Sequence, residues 1–433
     1  MIKCNIFWFR RDLRLNDNHG LYRALQSDLP VIPLFIFDRE ILGRLDNPGD
    51  PRITFIYDEI SRLKQELESL GSSLLVLYGR PSEVFEEILS KYPINAIYTN
   101  HDYEPYAVWR DEAVHQILRE RNISFFSFKD QVIFEKNDVI KDDGTPYTVF
   151  TPYSRKWKVL FRQSALPQYP SEKLQEFFFK TLPIAMPTLD RIGFNRSNYI
   201  FPERLVDELL ISNYDKTRDF PYLEGTSRLG LHLRFGTISI RFLAGTAARL
   251  NEVYLSELVW REFYMMILWH FPYAAKGAFK PAYNRIPWKN DERQFQAWCD
   301  GNTGYPIVDA GMRELNHSGY MHNRLRMITA SFLTKHLLID WRWGEAYFEK
   351  KLLDFELASN NGGWQWAAGT GCDATPYFRV FNPDLQAQKY DPDNIYIRKW
   401  VPEFKDKTYP PRMVDHAQAR INAISIYQNA IRK

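Results

Sequence analysis

The feature that most constrains this chain is a change of rhythm about a third of the way along it. Through the first 130 residues, short β-rich runs alternate with stretches whose apolar residues recur at helical spacing. The runs are Asn5 to Phe9, Val31 to Phe37, Leu74 to Tyr78, Ala96 to Thr99 and Ser124 to Phe128. Between them Ile53 to Leu70 and Trp109 to Arg121 read as amphipathic helices, the first with Ile56, Ile60, Leu63 and Leu67 on one face. Strand, helix, strand in repetition predicts an α/β domain over residues 1–130, built on a doubly wound parallel sheet. From Pro202 the β alternation stops. Ile238 to Leu250, Ser256 to Phe271, Ile307 to Asn316, His322 to Leu338, Glu345 to Leu353 and His416 to Arg432 read as helices, so residues 202–433 are expected to form an all-α domain. Residues 131–201, with scattered Pro, Lys and Phe, are expected to be a connector running over the surface. No GxGxxG follows the first strand, so a tightly held dinucleotide is expected outside the sheet.

Charge excludes little. Lys and Arg number 56 against 53 Asp and Glu, a net +3, so a nucleic-acid face has to be a local patch. No stretch approaches the roughly 18–20 apolar residues of a membrane helix, and Ile6-Phe7-Trp8-Phe9 runs into Arg10-Arg11-Asp12 without a signal-peptide pattern. The chain reads as intracellular, cytoplasmic and off the membrane. Cys4, Cys299 and Cys372 are too few and too far apart for a disulfide framework or a four-cysteine metal site, and no metal is expected. The 12 Trp, 25 Tyr and 30 Phe suit core filling, and equally a protein that stacks on flat ligands.

Four segments carry chemistry. Glu224-Gly225-Thr226-Ser227-Arg228-Leu229-Gly230 sets two hydroxyls and an arginine before an apolar helical run, which reads either as a plain helix cap or as a phosphate cradle. Glu257, Trp260, Arg261 and Tyr264 fall at i, i+3, i+4 and i+7, so they share a helix face that lies on solvent or lines a polar, aromatic cavity. His322, Asn323, Arg326 and Met327 cluster on another helix, where His322, lacking metal partners, reads as an oriented structural histidine. Asp354, Glu356, Asn360 and Asn361, two carboxylates and two amides, with a Gly362-Gly363 turn just before Trp364 and Trp366, are too many polar groups for a core, and the segment Asp354 to Trp366 reads as a ligand site. Two residues apart, those tryptophans are expected to point to roughly opposite sides.

Together these blocks resemble the photolyase and cryptochrome family, and most closely its class I cyclobutane pyrimidine dimer photolyases. The resemblance spans nearly the whole chain: Trp8 to Arg14, Thr226 to Leu229, Glu257 to Tyr264, Thr303-Gly304-Tyr305-Pro306, Met321 to Phe332 and Asn360 to Pro383, with Asn361-Gly362-Gly363-Trp364-Gln365-Trp366-Ala367-Ala368 highly specific. It implies a Rossmann-like antenna domain followed by a helical domain that holds FAD, active as FADH⁻. Tyr214, Thr226, Ser227, Arg228, Leu229, Gly230 and Arg261 would lie on the diphosphate side, and Tyr254 would also bind the cofactor. Asn323, Arg326, Asp354, Phe355, Glu356 and Asn360 would surround the flavin, with Arg326 and Asp354 as an ion pair.

The activity implied is that of a deoxyribodipyrimidine photo-lyase: an electron passes from light-excited FADH⁻ to a cyclobutane dimer flipped out of DNA and returns once the ring has split. Glu257 would hydrogen-bond the dimer, Trp260 and Trp366 would flank it, and Met327 and Asn360 would complete the catalytic set. Arg261, Tyr264, Asn323, Arg324 and Gln386 would add DNA contacts, the phosphate contacts being salt-dependent. Trp288, Trp341 and Trp364 would carry electrons from the surface to the flavin, packing being their bland alternative.

Asn323 and Met327 stand where the (6-4) branch has histidines, three cysteines are too few for the iron–sulfur relatives, and no long tail follows the last helix. Repair therefore outranks a cryptochrome-like photoreceptor, and a monomer is expected. Glu356 replaces the usual Asp, Gly230 a frequent Ser, Leu231 a frequent Pro, and Tyr254 and Tyr320 each a Trp, which suggests tuned affinity and puts the flavin potential in question. The family's folate residues are not matched around Tyr103-Glu104-Pro105-Tyr106-Ala107, so folate, a deazaflavin, a second flavin or no antenna all stay open.

Overall fold

The computed structural model describes residues 2–432. Five strands, β1 (Cys4–Phe9), β2 (Val31–Asp38), β3 (Leu75–Gly79), β4 (Ile94–Asn100) and β5 (Ser124–Phe128), pair in parallel in the order β3-β2-β1-β4-β5. The chain winds outward from β1 in both directions, the doubly wound sheet that the alternation predicts. Every residue of β1 and β2 is buried, as befits strands covered on both faces. Alternate side chains enter separate cores: Phe7, Phe9, Phe35 and Phe37 one, Cys4, Ile6, Trp8 and Leu34 the other.

The crossovers are α1 (His19–Leu25), α2 (Pro51–Ser69), α3 (Pro81–Lys91) and α4 (Pro105–Glu120). Asp50 caps α2 by accepting from the Arg52 N–H, and Pro51 occupies the first turn, where its missing N–H costs nothing. The short α1 and α3 are not among the predicted helices, although Leu21, Ala24 and Leu25 in the one and Val84, Phe85 and Ile88 in the other recur at helical spacing.

The chain divides into two compact units: residues up to Glu135 with 160–206 and 228–246 in one, and 136–159 and 207–227 with the chain from Ala247 onward in the other. The expected connector, 131–201, is therefore shared out rather than separate. Within it runs α5 (Phe150–Gln163), whose Tyr153 and Trp157 are buried, so part of this segment is core and not surface wrapping. Pro152 and four basic residues dilute its apolar period.

Among the further helices are α6 (Ile240–Leu250), α7 (Glu252–His270), α8 (Pro306–Ser318), α9 (Asn323–Ser331), α10 (Trp341–Lys351), α11 (Leu357–Ala368), α12 (Pro383–Tyr390) and α13 (His416–Arg432). The expected helix from His322 to Leu338 keeps α-geometry only to Ser331 and then widens into one π-turn, Phe332–His336. Gly362 and Gly363 are not a turn, because α11 runs straight through them. A Cβ on Gly362 would lie 2.2 Å from the Tyr264 ring, so the glycine is there to let α7 and α11 approach. The core of this unit gathers Trp298, Tyr305, Phe332, Trp341, Phe348 and Trp364. No helix is long and apolar enough to cross a membrane among the described residues.

Candidate active site: a cavity walled by three ion pairs

A cavity of about 400 Å³ opens in the helical unit, within the size range of cofactor sites. The polar face of α7 settles the open question about it: Glu257, Trp260, Arg261 and Tyr264 all border this cavity. The opposite face of α7 is core, with Val259 and Phe263 fully buried. From α9 come Asn323, Arg326 and Met327, and from α10 Phe348. Asp354, Phe355 and Glu356 precede α11, which adds Asn360, Trp364 and Trp366. Contrary to the expectation of opposite sides, both tryptophans border the same cavity, Trp364 buried and Trp366 half-buried.

Each charged wall position is an arginine from one element set against a carboxylate from another. Arg218 pairs with Glu257 through a short contact, Arg261 Nη2 lies 2.9 Å from Glu356 Oε1, and Arg326 Nη2 lies 2.9 Å from Asp354 Oδ2. Burial pushes the Glu257 carboxyl up and the Arg218 guanidinium works against that shift. Glu356, one methylene longer than the usual Asp, reaches Arg261 and also accepts from Ser359 Oγ at 2.9 Å. Sequence reasoning missed Arg218. Its pairing is tertiary, and the one local hint is its place four residues after Tyr214, whose ring it approaches at 5.6 Å.

His322 has the structural role its surroundings suggested. It caps α9, its Nδ1 accepting from the Arg324 N–H at 3.1 Å, and burial lowers the imidazole to about 4, which keeps it neutral and able to accept. Asn360 is oriented by its Nδ2, which donates to the Glu345 carbonyl at 3.2 Å. The Glu345 carboxyl, pushed by burial to about 7, accepts from Asn361.

Several expected site residues lie off the cavity. Tyr214, Thr226, Ser227 and Tyr254 form a separate hydroxyl cluster: Thr226 Oγ1 meets the Tyr320 hydroxyl at 2.9 Å, Ser227 Oγ meets that of Tyr254 at 2.8 Å, and Tyr214 packs edge-on against Tyr254. Both tyrosines that replace tryptophan thus engage the Thr-Ser pair. Arg228, Leu229 and Gly230 belong to the sheet-containing unit. There Leu229 precedes the short helix Gly230–Arg234 without any side-chain cap, so the plain-cap reading fails. Arg324 binds Asp219 at 2.5 Å and covers the Tyr390 ring, while Gln386 sits half-buried on α12.

Of the three tryptophans read as an electron path, Trp341 and Trp364 are core residues and Trp288 packs at the core margin. Only Trp364 borders the cavity. Its close approach to α10 depends on Gly344, where a Cβ would fall 2.1 Å from the indole. Trp298, unnoticed in the sequence, stands edge-on to Trp364 with ring centroids 6.0 Å apart.

A chain with a doubly wound sheet unit and a helical unit that holds an Arg- and Trp-walled cavity has the makings of an enzyme that binds a flat cofactor. Comparison with known proteins sharpens this. Residues 5–171 match the family model described as DNA photolyase, and residues 254–408 the model for the FAD binding domain of DNA photolyase. The deoxyribodipyrimidine photo-lyase of Halobacterium salinarum is 37% identical, over 98% of this chain and 99% of that protein. A bacterial class III photolyase from Agrobacterium tumefaciens superposes with a TM-score of 0.86 at 32% identity, over 100% of this chain and 98% of the other. An archaeal photolyase from Sulfolobus tokodaii, solved with two FAD molecules, gives 0.84 at 34%, over 99% and 100%. The chain belongs to the DNA photolyase family and is an enzyme of that family, with FAD as its cofactor.

The residues present fit that cofactor. The cavity joins an apolar floor of Phe348, Leu352, Phe355 and Trp364 to a polar rim of Arg326, Asp354 and Asn360, the mixture a flat heteroaromatic ring with polar edges requires. The buried indole N–H of Trp364 has no hydrogen-bond partner within the protein, a donor a ligand can satisfy.

Proposed function

We propose that this enzyme repairs cyclobutane pyrimidine dimers in DNA, with reduced FAD on the Asp354–Asn360 side of the cavity and the dimer flipped out against α7 and Trp366. The observation that carries this reading is that Glu257, Trp260 and Trp366 border the same cavity as Arg326, Asp354 and Asn360. When bound and reduced, FAD supplies the photoexcited electron. The protein's own groups do the rest. Asn360, tied through its Nδ2, keeps its carbonyl oxygen to accept from a ring N–H. Glu257, paired with Arg218, offers its carboxyl oxygens to the hydrogen bonds of the pyrimidine edges. The faces of Trp260 and Trp366 stack on or flank a lesion that is already poorly stacked in its duplex. Arg324 and Gln386 meet phosphates beside the lesion, so affinity falls as salt rises.

A second chromophore is proposed for a pocket of about 140 Å³ in the sheet unit. Trp8 lines it with the guanidiniums of Arg10 and Arg110 about 5 Å above its ring, and the Tyr106 hydroxyl donates to Asp38 at 2.7 Å. The two FAD molecules of the Sulfolobus structure make a flavin the first ligand to try there.

The dimer reading is tested at one residue. Glu257→Ala is expected to lower repair by roughly tenfold or more, the worth of a charged hydrogen bond, with FAD still bound. Undiminished repair would remove Glu257 from the dimer's contacts.

A further inference from the structure

The segment expected to be a passive connector begins against a wall of the cavity. Phe150, the first residue of α5, lies face to face with Trp260, ring centroids 3.6 Å apart and planes 7° from parallel. That overlap is closer than the ~4.5–7 Å typical of aromatic pairs and resembles the spacing of stacked bases. Trp260 borders the cavity and Phe150 does not, so the phenyl occupies one indole face without itself lining the cavity.

Phe150 has little freedom to leave. Its N–H donates to Asp373 Oδ2 at 2.9 Å, in the turn after α11. Two residues on, the Thr375 N–H donates to the carbonyl of Trp366 at 3.3 Å. On the other side the Trp157 indole N–H donates to the buried Glu262 carboxylate of α7, and the Tyr153 ring packs 5.1 Å from Phe263. The first turns of α5 therefore grip both α7, which carries Trp260, and the turn tied to Trp366.

We infer that Phe150 is a positioning residue that sets substrate specificity: it fixes the plane of Trp260 and seals one of its faces, so that a base stacks on the other alone. This rests on the reading that the dimer docks against Trp260. Without the phenyl, the indole gains rotamer freedom and presents two faces, and any unpaired base has a π-face to offer. Undamaged single strands then compete with the lesion.

The test is dark binding of the FAD-loaded enzyme to oligothymidylate with and without cyclobutane dimers, for wild type, Phe150→Ala and Phe150→Tyr. Phe150→Ala should lose about tenfold in affinity for the dimer while binding undamaged strands as well as wild type or better. Its FAD content should match wild type, and Phe150→Tyr, which keeps the stacked ring, should restore discrimination. Wild-type discrimination in Phe150→Ala would overturn the inference. So would equal losses for damaged and undamaged strands together with lost FAD, since these mark a structural role only. If the wild type itself fails to discriminate, it is the dimer reading that falls.

Discussion

Two regions of this molecule use the same residue types to opposite ends. In the sheet unit, Asp130 lies between Arg14 and Arg241 at 2.7 and 2.8 Å, all three almost fully buried, and Arg241 also holds Asp17. In the helical unit, three arginine–carboxylate pairs stand around an open cavity. The charges of the first cluster are matched within it. The second leaves guanidinium and carboxylate edges toward empty volume. A buried ion pair is thus no pointer to function by itself; an ion pair with an outlet is.

The largest expected effect falls on the closed cluster. Asp130→Ala leaves Arg14 buried without a counter-charge and Arg241 with Asp17 alone, and should cost about 3–5 kcal/mol in denaturant unfolding. Burial alone would raise the Asp130 carboxyl, but Arg14 and Arg241 hold it down at about 2. Its contribution is therefore present above the carboxyl's unfolded pKa and lost as pH falls through about 2. A mild loss in Asp130→Ala would break the contrast between the two regions.

Next comes Gly344→Ala. The new methyl meets the indole of Trp364, and displacing it should cost about 2 kcal/mol and slow photoreduction of oxidised FAD. Trp364→Phe should slow that photoreduction as well while leaving repair by chemically reduced enzyme intact. Unchanged photoreduction in both variants would remove Trp364 from the electron path.

A pH-dependent effect is expected at Glu345, which has an amide partner where Asp130 has guanidiniums, and whose carboxyl burial raises to about 7. Because the folded state keeps this proton while the unfolded chain has released it, the contribution is full below the ordinary carboxyl pKa and lost as pH rises through about 7. Wild type should lose up to about 3 kcal/mol relative to Glu345→Gln between acid and neutral pH, read from melting curves at a series of pH values. Parallel pH profiles would show that Glu345 does not hold this proton.

Much of this was legible because it is local. The change from period 2 to period 3.6 is written in neighbouring residues, and it predicted the parallel sheet and the helical unit. Glu257, Trp260, Arg261 and Tyr264 declared a shared face through spacing alone, although only the fold could say whether it met solvent or a cavity. What stayed hidden depends on tertiary approach. Gly362 and Gly363 looked like a turn because the Tyr264 ring that needs the missing Cβ is about a hundred residues away in sequence. Arg218 and Phe150 gave no signal because their partners, Glu257 and Trp260, lie on another helix.

The most direct test of the central claim is to photoreduce the FAD-loaded enzyme, add oligothymidylate carrying cyclobutane dimers, and follow the return of thymine absorbance in light and in darkness. Recovery in the light alone is the result this account predicts. No recovery from enzyme that binds FAD and photoreduces it would contradict the assignment of the cavity to dimer repair and favour the photoreceptor alternative.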